Sequence, residues 1–429
     1  MLQSIKQVED YFKRRSNLGI KPGLERMNQL LASQHNPETK CKTIHIAGTN
    51  GKGSTLTFLK QALIANDLRV GVFTSPSLTG LTGHIWLNNE PISEEAFLAL
   101  FNQLIPVITQ LDENHMHPTE FEIITVIAFM YFRDTVDIAL IEAGMGGRED
   151  TTNCIQPILS IITNIAMDHA YFLGDTLEKI AYQKAGIVKA NVPTVVGNIN
   201  PVCLPVIMQE AQEKDSIVYQ LNEHYEAKDV RTTMDGQMFR WRFNERAMEI
   251  AIKMQGRHQV ENASTAVMAL TLMEMNGFQF SWERALAGIR TAQVIGRFER
   301  IHESPTIILD GAHNPHGMEA FVKTVVDVYD NSRKHLIFAG FRDKELEKML
   351  ALALPYFNSI TVTSFDHPRA MDTEELNRLV STEKLKESLD WRKTLAAILQ
   401  HHDDMDCYFV AGSLHFIGEV RAFLKEYNT

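Results

Sequence analysis

The stretch Thr43-Ile44-His45-Ile46-Ala47-Gly48-Thr49-Asn50-Gly51-Lys52-Gly53-Ser54 narrows the possible folds of this chain more than any other. Apolar residues alternate into a glycine-rich turn, a lysine and a hydroxyl follow, and Thr55 to Asn66 carries helical spacing. A strand, a Gly-rich loop and a helix in that order aim backbone N–H groups and a helix N-terminus at an anion. Lys52 adds a point charge for the β/γ-phosphates of a nucleotide, and a hydroxyl can join a Mg²⁺ shell. The stretch departs twice from the common G-x-x-x-x-G-K-[ST] pattern: Ile46 takes the place of the first Gly, and Gly53 separates Lys52 from Ser54. Read locally, it is a nucleotide loop of a less common kind or a Gly-rich turn with no ligand. As a nucleotide loop it would serve a switch, a kinase or a ligase alike.

A chain of 429 residues exceeds what one hydrophobic core usually supports, so two domains are expected. The net charge of −11 argues against nucleic acid as a partner, because phosphate backbones need clustered Lys and Arg. Cys41, Cys154, Cys203 and Cys407 lie far apart with no C-x-x-C pair, which fits a reducing compartment rather than a disulfide framework or zinc site. Met1 to Asp10 is charged and lacks the apolar run of a signal peptide. Apolar runs such as Ile123 to Phe132 are too short to cross a bilayer. The reading is a cytoplasmic protein without a membrane partner, and the absence of a coiled-coil seam, together with the family resemblance given below, points to a monomer.

Further along, polar groups repeatedly follow apolar strands, where open α/β sheets collect ligands. A strand over 69–74 ends in Ser75-Pro76-Ser77, and one over 137–142 ends on Glu142 and runs into Ala143-Gly144-Met145-Gly146-Gly147-Arg148. A strand over 158–165 leads to Asp168-His169. An acidic residue at a strand end beside a phosphate loop has the logic of a metal-holding carboxylate. Taken singly, the Ser-Pro turn and the Asp-His pair have plain structural readings. Thr119 with Glu122 has capping-box spacing, and His115 and His117 fall in the loop before it as possible metal ligands or solvated side chains. Lys184, near the end of a helix over 176–188, reads by default as a solvated cation at a favourable dipole position. The stretch 217–255 alternates around a hairpin turn at 234–237 and reads as a β-rich extension of the first domain. From 306 onward, strands at 306–310, 335–339, 359–363 and 407–411 alternate with helices at 316–328, 344–353, 373–387 and 413–425, a second α/β unit of Rossmann-like character.

In chain order, the blocks GTNGKGS (48–54), FTSP (73–76), EAGMGGREDTTN (142–153), Asp168-His169, KAGIVK (184–189), GRHQVENA (256–263), GRFE (296–299), LDGAHNPHG (309–317) and AGSL (411–414) resemble the folylpolyglutamate synthase/dihydrofolate synthase family. That family belongs to the Mur-ligase superfamily of ATP-dependent amide-forming ligases. The Gly after the loop lysine is itself a mark of the family. The resemblance implies an α/β fold: an N-terminal P-loop ATPase domain over 1–295 and a smaller C-terminal Rossmann-like domain over 296–429. It implies an ATP-dependent ligase that adds L-glutamate to a folate (tetrahydrofolate and its polyglutamates), to dihydropteroate, or to both. Gly48, Thr49, Asn50, Gly51, Lys52, Gly53 and Ser54 would hold ATP, together with Asn262 at the adenine, Arg297 at the phosphates and Asp310. Ser54, Ser75 and Glu142 would serve a first Mg²⁺, and His169 with Lys184, as a carbamate, a second. His313 and Ser413 would lie near the incoming amino acid. One block departs: where many members read His-Leu and then Glu-Arg-Ile, this chain has Ser77-Leu78-Thr79-Gly80-Leu81-Thr82-Gly83-His84-Ile85, on the side of the acceptor.

Making an amide from a carboxylate in water requires activation, here by γ-phosphoryl transfer to an acyl phosphate that the amine of glutamate attacks. Lys52, Arg297 and the metals would stabilise the phosphoryl charge. A Mur-type ligase with another acceptor would keep every nucleotide residue and differ in the 77–86 loop. A P-loop switch or motor would have no use for Asp310, His313 or Ser413.

Overall fold

A computed structural model of the chain describes residues 1–15, 18–19, 21, 23–77, 80–330, 332–380, 382–403 and 405–427. Residue 22 of the first expected break and residues 78 and 79 of the departing loop therefore lie outside it. Two compact units emerge: residues 1–228, 240–250 and 261–292 form one, and 229–239, 251–260 and 293–429 the other.

The first unit is built on strands β1 (Thr43–Ala47), β2 (Val70–Phe73), β3 (Ile85–Leu87), β4 (Glu90–Pro91), β5 (Ile138–Glu142), β6 (Leu159–Ile162), β7 (Thr194–Val196) and β8 (Val218–Gln220). They form one sheet in the order β4-β3-β2-β5-β1-β6-β7-β8. The six strands from β2 to β8 in that order run parallel, and β3 and β4 extend the edge antiparallel. Every residue of β1, β2, β5 and β6 is buried, as a parallel sheet covered on both faces requires. Because β1 lies between β5 and β6, the loop after β1 opens at a reversal of strand order, where such sheets bind ligands.

One face is covered by helices Ile5–Arg15, Glu25–Ser33, Glu94–Glu113 and Glu120–Phe132, whose aromatic and aliphatic side chains form a buried core cluster. The helix Glu120–Phe132 is apolar nearly all round and buried along Ile123–Phe132 save Tyr131, so packing rather than amphipathicity holds it. Its start is specified locally. Thr119 Oγ1 accepts from Glu122 N (3.2 Å), Thr119 N donates to the Glu122 carboxylate (2.7 Å), and the Arg26 guanidinium donates to the same buried carboxylate at 2.9 Å. The opposite face is covered by helices Leu177–Ala185 and Leu204–Glu213.

Strands β9 (Tyr225–Thr233), β10 (Gly236–Phe243) and β11 (Arg246–Ile252) make a separate sheet of order β11-β10-β9. Residues 229–239 and 251–260, which the sequence groups with the first domain, pack with the second unit. That unit's own sheet runs β12-β13-β17-β14-β15-β16, formed by β12 (Glu299–His302), β13 (Thr306–Leu309), β14 (Arg333–Phe338), β15 (Ser359–Val362), β16 (Leu385–Glu387) and β17 (Asp406–Ala411). Only β12 is antiparallel. The helix expected over 373–387 ends at Arg378, and Leu385–Glu387 instead adds an edge strand beside β15. Val380 and Thr382 in the intervening stretch are β-branched and favour that outcome. Strand β12 and the helix Trp391–Gln400 are absent from the expected pattern.

Candidate active site

The Gly-rich loop takes its shape from its neighbours. The helix behind it starts at Lys52, three residues earlier than its spacing suggests, with Gly51 as N-cap at φ +83°. A Cβ on Gly51 would lie 2.4 Å from the Asn262 side-chain oxygen, so both the backbone conformation and the space demand glycine. The segment after β6 braces the loop from the other side. Thr49 N donates to Asn164 O and Asn50 N to the Asn164 side chain, each at 2.9 Å, and Thr163 Oγ1 donates to Asn50 O at 2.6 Å. With the loop held, the first N–H groups of the helix point from its N-terminus without intrahelical acceptors, an arrangement suited to phosphate oxygens.

Lys52 Nζ folds back over the loop it follows, donating to Gly48 O (3.1 Å) and Thr49 O (3.4 Å), and lies 3.8 Å from Glu142 Oε1. Glu142, at the carboxyl end of β5, is only 4 % exposed, and its other oxygen accepts the Thr74 hydroxyl from the end of β2. Ser54 is buried in the first turn of the helix and Ser75 is half-buried beside Thr74. A carboxylate with nearby hydroxyls and phosphate oxygens is the hard-oxygen donor set that suits Mg²⁺, so these residues fit such an ion.

The glycine run after Glu142 hangs on Asp150. Its carboxylate, buried and for that reason shifted upward in pKa, accepts from Met145 N (2.8 Å), Thr152 N (3.0 Å) and Thr152 Oγ1 (2.5 Å). The Thr152 hydroxyl in turn meets His45 Nε2 at 2.8 Å. A buried chain thus ties β1 to the loop after β5.

Lys184 is no solvated cation. Its side chain is 3 % exposed, and no described residue forms a hydrogen bond or ion pair with it. Burial first, and the Lys52 charge second, lower its pKa from 10.5 to about 7, against the opposing pull of Asp168 and Asp150. A large part of this amine is therefore neutral at physiological pH and nucleophilic. His169 has left-handed backbone (φ +49°), a half-exposed ring and a distance of 3.9 Å to Asp168 Oδ1. His117 pairs with Asp112 at 3.0 Å, which accounts for it structurally.

In the second unit, Asp310 and Ser413 follow the adjacent parallel strands β13 and β17. Asp310 is buried, which raises its pKa while Arg297 and His313 counteract it, and its carboxylate accepts from Phe298 N and Ala312 N, each at 2.9 Å. His313 Nδ1 donates to Gly311 O at 2.8 Å. Ser413 Oγ accepts from His415 N at 3.2 Å at the start of the helix Leu414–Tyr427, so its side chain caps that helix.

Of the residues singled out in the sequence, Gly48–Ser54, Ser75, Glu142, His169, Lys184 and Asn262 belong to the first unit, with Lys52 at Glu142 and Asn262 at Gly51. Arg297, Asp310, His313 and Ser413 belong to the second. Sequence reasoning missed Thr74, Thr163 and Asn164 as parts of the site. Their signal was present, since Thr74 and Thr163 directly follow β2 and β6 at their carboxyl ends and Asn164 comes next after Thr163.

Residues 46–270 match the Mur ligase middle domain, and residues 296–414 the glutamate ligase domain of Mur ligases. The dihydrofolate synthase/folylpolyglutamate synthase of Bacillus subtilis is 35 % identical over 430 residues, covering 99 % of this chain and 100 % of that protein. The structure of Escherichia coli FolC in complex with DHPP and ADP superposes with a TM-score of 0.89 at 25 % identity, covering 100 % of this chain and 99 % of that one. A bifunctional folylpolyglutamate synthase/dihydrofolate synthase with Mn, AMPPNP and L-glutamate bound gives a TM-score of 0.86 at 27 % identity, covering 99 % and 98 %.

Proposed function

The chain belongs to the dihydrofolate synthase/folylpolyglutamate synthase family of Mur ligases, and from that premise we propose how its residues divide the work. It is an ATP-dependent ligase that joins L-glutamate to a folate-type acid and uses a divalent metal. The observation that carries the assignment of roles is the buried Glu142 carboxylate 3.8 Å from Lys52 at the mouth of the Gly-rich loop.

Lys52 and the loop amides bind the ATP phosphates and draw charge from the γ-phosphoryl group as the acceptor's carboxylate attacks it. Glu142, Ser54 and Ser75 hold one Mg²⁺, with Thr74 orienting the carboxylate by hydrogen bond. His169 and Lys184 serve a second. An amine is a poor ligand for Mg²⁺, but the neutral Lys184 amine can add to CO₂, losing a proton to give a carbamate with two oxygen donors. Bound metal supplies Lewis-acid polarisation of the phosphoryl oxygens. Arg297 and Asp310 engage the nucleotide, Asn262 the adenine side, and His313 with the Ser413 backbone region the incoming glutamate. The amine of glutamate then attacks the acyl phosphate and phosphate leaves.

The test is release of ADP by the purified protein with ATP, Mg²⁺, glutamate and either dihydropteroate or tetrahydrofolate. Acceptor-dependent turnover is expected with at least one, and Glu142→Gln should lower it by about 100-fold or more with folding intact. ATP hydrolysis indifferent to both acceptors would refute the folate reading.

A further inference from the structure

A cavity of about 180 Å³ opens between the hairpin β9–β10 and the helix Pro315–Val328, and every residue lining it belongs to the second unit. At about 30 Å³ per liquid water it has the room of roughly six waters, which suits a small metabolite and not a nucleotide. It is separate from the strand ends that carry Asp310 and Ser413. Lys323, on its helical wall, lies nine residues beyond the N-cap Asn314, about 13 Å along the axis at 1.5 Å per residue.

The floor of the cavity is preset. Gly256 has φ +97°, and a Cβ there would lie 2.5 Å from the Thr324 hydroxyl, so the chain can run this close to the helix because the residue is glycine. Gln237, which lines the cavity and is 3 % exposed, donates through its side-chain nitrogen to Met254 O and Gly256 O, each at 2.9 Å. Both acceptors are carbonyls, so the NH₂ end of the amide is fixed. The amide oxygen is then an acceptor to which no described residue donates. A buried acceptor of this kind calls for a donor.

The charges around it are also uncommitted. Lys323 and Asp327 share one face of the helix at i,i+4 spacing, yet no described residue forms a side-chain hydrogen bond or ion pair with either. Lys before Asp is the weaker order for such a pair. Arg257, which opens the helix Arg257–Met275, brings a second cation to the lining, and Val230 and Val328 add apolar surface. Two cations and one carboxylate leave the lining net positive by one charge.

We propose that this cavity is a binding site for a free acidic α-amino acid, distinct from the position of the incoming glutamate in the reaction. The ligand's ammonium group bridges the Asp327 carboxylate and the Gln237 oxygen, its two carboxylates meet Arg257 and Lys323, and its methylene stem lies against Val230 and Val328. Such a ligand carries one net negative charge, the complement of the lining, and makes charge-assisted hydrogen bonds at both ends. Phosphate or a plain dicarboxylate would leave the Gln237 oxygen without a donor and set an anion beside Asp327. A plain amine would leave both cations unmatched. The inference goes beyond the ligase reading and does not depend on it.

The experiment is calorimetric titration of the full chain with L-glutamate, without ATP or acceptor, for wild type, Lys323→Gln and Asp327→Asn, both exposed positions whose replacement leaves the core alone. Expected is saturable binding by wild type that weakens about 10-fold or more in each variant. Glutarate, which has both carboxylates and no ammonium, should bind wild type about 10-fold more weakly than glutamate and lose nothing further in Asp327→Asn. In turnover assays the KM for glutamate should stay within about 2-fold in both variants. Equal glutamate affinity in all three proteins overturns the inference, as does absence of binding to wild type. A rise in the glutamate KM in step with the lost binding overturns it too, since the cavity would then belong to the reaction itself. Absence of acceptor-dependent turnover sinks the folate reading alone, and the titrations still decide this inference.

Discussion

Lys184→Met should make the protein more stable and inactive at once. The buried amine has a pKa near 7 in the folded chain against 10.5 as reference, so it is the folded state that releases the proton first. Between about pH 7 and 10.5 the unfolded chain holds one proton more than the folded chain, and stability must rise with pH across that window by about 1.4 kcal/mol per pH unit. Below pH 7 both states are protonated and the whole penalty is present, up to about 5 kcal/mol for a gap of about 3.5 in pKa. Methionine fills a similar volume without a charge to bury. The stability advantage of the variant over wild type should therefore be greatest and flat well below pH 7 and shrink by about 2 kcal/mol between pH 7 and 9. Urea unfolding of both proteins at pH 6, 7, 8 and 9, in CO₂-free buffer without divalent metal, measures that difference directly. A difference that stays constant from pH 7 to 9 would refute the reading of Lys184 as a depressed, reactive amine. Adding bicarbonate at pH 8 should stabilise wild type and leave the variant unchanged.

Two further outcomes follow from the packing. Gly51→Ala places a methyl 2.4 Å from the Asn262 oxygen at φ +83°, which should cost about 1–3 kcal/mol and raise the KM for ATP. Thermal unfolding and ATP titration check it, and wild-type ATP affinity in that variant would contradict the loop geometry. Arg26→Ala strands the Glu122 carboxylate, 1 % exposed, with its capping contacts alone, and about 3 kcal/mol of stability should be lost. Glu122→Gln in the Arg26→Ala background should recover part of it in chemical denaturation, because the charge is gone while the cap can remain.

The fold was legible wherever one stretch carried the whole signal. The alternation of 43–47 became β1 with the same bounds, and the spacing of Thr119 and Glu122 became a capping box with both bonds formed. Such features depend on neighbours within a few residues, which sequence periodicity reports directly. Misreadings came where tertiary context decided the outcome. Residues 379–387 mix helix formers with the β-branched Val380 and Thr382, and Leu385–Glu387 pairs with β15, because an edge position beside an existing strand rewards extension more than a mixed local propensity rewards a further helical turn.

The site divides along the same line. Lys52 and Glu142 stand at strand ends whose polar character is visible in the chain, and their meeting at 3.8 Å follows from β1 and β5 being neighbours. Lys184 showed nothing locally, and the resemblance alone marked it. Its lowered pKa is set by burial and Lys52 against the pull of Asp168 and Asp150, groups that follow β1, β6 and β5 in the chain and meet the helix Leu177–Ala185 only in the folded sheet. A lysine becomes a neutral nucleophile through what surrounds it, and here those surroundings are spread over more than a hundred residues of sequence. The Lys52–Lys184 repulsion makes the same point about function. The loop lysine also lowers the pKa of the amine beside it, so the Gly-rich loop and Lys184 are electrostatically coupled, and neither can be read from its own motif alone.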